Sequence, residues 1–220
     1  MTRRLLAPIV LAFALVASVV SPAPVSAEKI NVLIVGDSTA TVLRWAPESM
    51  VPLWKSNYNV TLEVWGCQKL VSVGCLGNGQ KSALDFMKKH KDDGIDYVMV
   101  ATGYNDTGAE YVRRAIRTID KYVKSMGAEL IWLTYRRNGN VRVKNKAFNE
   151  VVWQESKRLG YRVFDWELIA RERISWFSGD RVHMSRKGGV NFGKHIKKYL
   201  DGVTGAVPTT TVPVPTTTAA

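Results

Sequence analysis

The chain has 220 residues, 46% hydrophobic and 23% charged, a size and balance that suit one domain with a proper core. Lysine and arginine outnumber the acids 31 to 19, and the resulting formal charge of +12 suits either anionic partners or a basic surface that keeps the protein soluble. Two cysteines, with no other ligand types close by, exclude a metal framework built on them.

The first segment, "MTRRLLAPIVLAFALVASVVSPAPVSA", places two arginines before an apolar run and ends in small residues, the pattern of a cleaved signal peptide over residues 1–27. The run from Leu5 to Val20 is shorter than the roughly 20 residues of a spanning helix, so no stable membrane insertion is expected after cleavage. Removal of Arg3 and Arg4, with no acid, takes the charge from +12 to +10. A secreted location, with the wall association that the basic charge suggests, argues against a nucleic-acid partner, and no DNA- or RNA-binding motif is present. At the other end, residues 205–220 read "GAVPTTTVPVPTTTAA", a Pro/Thr stretch that cannot bury a core and is expected to be an extended, disordered tail. Residues 28–204 are left as one domain.

Within that domain, apolar runs rich in β-branched residues predict strands at Ile30 to Val35, Val60 to Trp65, Tyr97 to Ala101, Leu130 to Leu133 and Tyr161 to Phe164. Helical spacing falls between them, clearest at Ala109 to Met126, Val143 to Leu159 and Ser185 to Leu200. Five strands alternating with helices predict an α/β protein with a parallel sheet covered on both faces. Ligands of such sheets bind outside the carboxyl ends of the strands, which directs attention to the residues just after each strand.

After the first strand stands "GDST", Gly36 to Thr39. Asp, Ser and Thr there either cap the next helix or present Ser38 as a nucleophile. Gly66 follows the second strand, "GYND" (Gly103 to Asp106) the third, and "DRVH" (Asp180 to His183) precedes the last helix. Cys67 and Cys75, an even pair close together in an exported protein, predict a disulfide closing a short loop. His90 lies in a Lys-rich helical stretch and is expected to be solvated; His195, among lysines of the last helix, is read as structural or surface.

The four blocks, in this order, resemble those of the SGNH (GDSL-type) hydrolase superfamily, and the resemblance spans nearly the whole mature domain. It implies a three-layer α/β/α, flavodoxin-like fold. Matched motif to motif, it places the family's catalytic Ser, Gly, Asn and His on Ser38, Gly66, Asn105 and His183, with Gly74 and Gly77 as competitors for the Gly66 role. In that chemistry a neutral imidazole takes the serine proton as the hydroxyl attacks an acyl carbon. Asp180 can orient His183, with Asp165 a lesser rival, and Asp37 is read as a brace for its turn. The N–H groups of Ser38 and Gly66 and the Asn105 amide would receive the oxyanion. Neither a cofactor nor a metal is expected.

Aromatic residues after strand ends, Tyr104, Tyr135 and Trp176 among them, suit sugar rings or else belong to the core. Arg136 and Arg137, beside Tyr135, suit an anionic glycan or are solvated charges. The function expected is removal of small acyl groups, acetyl foremost, from cell-wall or extracellular carbohydrate by a secreted serine esterase. Acyl transfer to a glycan hydroxyl, and a noncatalytic wall-binding module that keeps the fold, are the alternatives.

Overall fold

The computed structural model describes residues 29–77 and 79–205; the expected signal peptide and all of the Pro/Thr tail after Gly205 lie outside the described residues. Five strands, β1 (Ile30–Gly36), β2 (Tyr58–Val64), β3 (Tyr97–Ala101), β4 (Glu129–Leu133) and β5 (Arg162–Phe164), form a parallel sheet in the order β2-β1-β3-β4-β5. The place of β1 between β2 and β3, away from the sheet edge, explains its apolar run from Val32 to Val35. Val32 and Ile34 enter a core on one face, Leu33 and Val35 a core on the other, and all four are fully buried.

The first core lies under α1 (Val42–Trp45), α2 (Val51–Trp54), α6 (Trp166–Ala170) and α7 (Arg186–Thr204). The second lies under α3 (Ala83–Lys89), α4 (Ala109–Ser125) and α5 (Arg142–Leu159), which completes three layers. In α4 the buried Val112, Ala115, Ile116, Ile119 and Val123 recur at helical spacing and form one apolar stripe. A Ser82–Asp85 capping box opens α3, and Gly160, left-handed at φ 83°, closes α5. Three glycines bring α7 unusually close to its neighbours: a Cβ on Gly188 would lie 1.9 Å from the Trp176 carbonyl, one on Gly189 2.2 Å from the Val42 side chain, and one on Gly193 only 1.7 Å from the Ser49 carbonyl.

The structure corrects one expectation here. His90 is buried rather than solvated, because its ring nitrogens lie 2.8 Å from Glu63 Oε1 and 2.6 Å from Asp93 Oδ2. Among the described residues, no helix is long and apolar enough to cross a membrane.

Candidate active site

The strand order reverses direction at β1, since β2 lies on one side of it and β3 on the other; the crevice at their carboxyl ends is where such sheets bind ligands. Ser38 stands in the turn after β1 and Asn105 in the turn after β3. Asp37 ties the two turns together. Its Oδ1 accepts from the Thr39 N–H (3.0 Å) and hydroxyl (2.8 Å), and its Oδ2 from the N–H groups of Gly103 (3.0 Å) and Tyr104 (2.9 Å). Burial raises the Asp37 carboxyl above its ordinary range, against the pull of these four donors. None of the "DST" side chains caps α1, whose N-cap, Thr41, makes no side-chain capping bond.

Across the crevice, His183 Nε2 lies 2.9 Å from Ser38 Oγ, and its Nδ1 lies 2.5 Å from Asp180 Oδ2. With Nδ1–H donated to the carboxylate, Nε2 is left to accept the serine proton. The other Asp180 oxygen accepts from the N–H groups of Val182 (2.9 Å) and His183 (3.0 Å), so the turn itself aims the carboxylate. Partial burial acts to raise the Asp180 pKa, but the hydrogen bonds from His183 and Val182 outweigh it and hold the carboxyl below its ordinary value. Asp165 is engaged elsewhere, accepting from the Thr134 hydroxyl and the Leu168 N–H as the cap of α6.

Trp65 donates its N–H to the Gly36 carbonyl (2.8 Å), which brings Gly66 alongside the end of β1. Among the described residues, no protein acceptor takes the N–H of Ser38 or Gly66, whereas Gly74 and Gly77 spend theirs on Gln80 and Gly74 carbonyls inside the loop. That loop is closed by the Cys67–Cys75 disulfide, with Cα atoms 5.2 Å apart. Asn105 Nδ2 donates to the Gln68 carbonyl at 3.1 Å, which fixes the amide and leaves its second hydrogen for a ligand. Gln68, fully buried, had no signal in the sequence beyond its place after Cys67. Among the described residues no group of three or more His, Cys, Asp or Glu side chains could hold a metal ion.

No protein-family model matches the sequence, and no curated protein matches it either. Solved structures do. The chain superposes on the aryl esterase of M. smegmatis with a TM-score of 0.66 at 12% identity, covering 79% of this chain and 99% of that one. Esterase EstA from Pseudoalteromonas sp. gives 0.63 at 13%, covering 80% and 98%, and a protein of Slackia heliotrinireducens described as an SGNH hydrolase gives 0.61 at 16%, covering 78% and 98%. The chain has the SGNH-hydrolase fold.

On this SGNH fold the residues expected to contact substrate divide. Tyr104 is half-buried, its hydroxyl accepting from the Arg136 N–H at 2.7 Å, and burial raises its phenol pKa. Tyr135 is 2% exposed and Arg136 1%; both belong to the interior, so neither is available to a ligand. The Tyr135 hydroxyl donates to the Thr102 carbonyl and its ring packs on Phe148. Arg137 is exposed but pairs with Glu167 (3.0 Å) and faces a groove between α5 and α6 with Trp153 and Leu168. The Trp176 ring stacks on Trp166 (centroids 5.9 Å apart) and meets His195, which places it in the packing under α7. What lies open beside Gly66 instead is a groove of about 450 Å³ lined by Trp65, Leu76, Gln80, Lys81 and Phe86. Under the serine turn the space among Ala40, Leu133, Trp166, Met184 and Phe192 is a gap of about 10 Å³, room for one water.

Proposed function

We propose that this protein is a serine ester hydrolase that removes small acyl groups, acetyl foremost, from extracellular or cell-wall carbohydrate. The observation that carries the reading is the Asp180–His183–Ser38 row, with both bonds within hydrogen-bonding reach and the imidazole tautomer set by the carboxylate. His183 Nε2 takes the proton as Ser38 Oγ bonds to the acyl carbon, and the N–H groups of Ser38 and Gly66 with the Asn105 amide receive the oxyanion, each donor contributing about 3–4 kcal/mol. Collapse breaks the ester bond, and the imidazolium returns its proton to the departing alcohol. Water then attacks the acyl-serine by the same route and releases the acid. The filled space beneath the turn favours a short acyl group, and the open groove beside Gly66 offers the carbohydrate a place to lie. The expected signal peptide and the Cys67–Cys75 disulfide support export.

The test pairs a fluorophosphonate probe with product analysis. The wild type is expected to be labelled at Ser38 and to release acetate from acetylated polysaccharide; Ser38→Ala should do neither. A Ser38→Ala variant that keeps the activity would overturn the assignment. Acetate appearing on an added glycan acceptor, rather than free, would make the enzyme a transferase.

A further inference from the structure

We propose that Arg136 is a positioning residue whose buried guanidinium, by gripping the backbone of the segment that carries Asp180 and His183, sets these two side chains in reacting geometry with Ser38. The proposal rests on the reading of Ser38, His183 and Asp180 given above.

Arg136 sits where β4 gives way to its loop, 1% exposed, with no carboxylate within ion-pairing distance among the described residues. Each arm of the fork meets a main-chain carbonyl instead: Nε that of Ala170 and one terminal nitrogen that of Arg171, both at 3.4 Å, and the other terminal nitrogen that of Arg181. The flat face of the group lies 3.7 Å from the Phe177 ring centroid. Burying a cation without an acid is unfavourable, and an apolar side chain would fill such a space at lower cost. Only a guanidinium supplies a planar fork for three carbonyls and a face for a ring at once.

The segment it grips needs holding. Phe177 and Met184 form an antiparallel bridge, so stacking on Phe177 anchors the base of the loop that runs from 177 to 184. Within it the Ser178 N–H donates to the His183 carbonyl and the Arg181 N–H to the Ser178 carbonyl, both at 2.8 Å. Arg181 adopts φ 59°, a left-handed conformation that an L side chain resists. That conformation lets the chain fold back so that Asp180 Oδ1 accepts from residues 182 and 183 while Oδ2 meets His183. The carbonyl of this same residue is the one Arg136 holds. One residue earlier the same loop makes a second contact: Gly139, at φ +56°, lies so close to the Asp180 carbonyl that a Cβ would come within 2.8 Å of it. Two successive carbonyls of the Asp180 turn are thus met from the β4 loop.

If this is the role of Arg136, its loss loosens the turn without touching the substrate. Arg136→Met, compared with wild type and Ser38→Ala on a small neutral acetyl ester, should lower kcat by about a hundredfold with KM within about twofold. The wild type is expected to show a far-downfield NMR signal for the proton between His183 Nδ1 and Asp180, and Arg136→Met to lose it while the circular dichroism stays that of the folded protein. Arg181→Gly, which removes the resistance to a left-handed residue, should restore at least about fivefold of kcat in the Arg136→Met background. Should Arg136→Met not fold, Arg136→Lys keeps the charge but not the fork, and is expected to fold with kcat at least about tenfold down. A folded Arg136→Met or Arg136→Lys with wild-type kcat and the downfield proton intact overturns the proposal alone. Activity surviving in Ser38→Ala overturns the reading beneath it as well.

Discussion

Asp106 follows the oxyanion candidate Asn105 and is almost wholly buried, its carboxylate accepting from the Leu70 N–H at 3.2 Å. Burial, with a smaller contribution from the Asp37 charge, raises its pKa from 3.8 to about 6. Between those values the folded chain holds a proton that the unfolded chain has released, so this residue makes stability fall as pH rises through the window. Asp106→Asn keeps an oxygen for Leu70 and cannot titrate. Urea unfolding is expected to give equal stabilities at about pH 3 and a variant more stable by about 2–3 kcal/mol above about pH 6; parallel pH profiles would refute the assignment. At this scale the placement was legible for Ser38 and Asn105, which follow strand ends, and for Asp180 and His183 through their spacing ahead of the last helix; the structure puts Ser38, His183 and Asp180 within hydrogen-bonding distance. Placement was not legible at Arg136, because an arginine's burial is decided by partners 34 to 45 positions away that are backbone carbonyls, and these carry no residue signature. His90 was misread for a similar reason: Glu63, 27 positions earlier, is what draws it inside.

The strands were readable to within one or two residues because β1, β3 and β4 carry buried apolar runs and the edge strands β2 and β5 keep β-branched or aromatic residues, and the long helices because their stripes repeat over several turns. Helices α1, α2 and α6 span only four or five residues, too few for a period to show. The small residues in the "GGVNFG" run of α7 have a meaning only packing reveals. Ala is ordinarily the better helix former by about 1 kcal/mol, yet at Gly193 a methyl group would drive α7 off the Ser49 carbonyl. Gly193→Ala should therefore lose at least about 2 kcal/mol. Gly202, in the same helix with nothing within 4 Å of a Cβ, should gain up to about 1 kcal/mol on the same substitution. Thermal denaturation of both variants tests this, and equal shifts would mean that α7 does not sit as closely as described.

At the scale of the whole molecule the basic excess bears on how a charged substrate would approach. If the protein acts on an acidic acetylated polymer, kcat/KM on that polymer should fall steeply as salt rises, while the value on a neutral ester stays nearly flat, because only the first is drawn in by long-range charge. Equal salt dependence on the two substrates would remove steering from the account. The bond between Ser38 and His183 joins positions 145 apart, from the turn after the first strand to the loop before the last helix. On the proposed reading the nucleophile thus lies near one end of the domain and its base near the other, so no fragment that lacks either end can pair them. Reactivity would then belong to the whole fold: until the loop ahead of α7 stands beside the turn after β1, Ser38 is an ordinary alcohol.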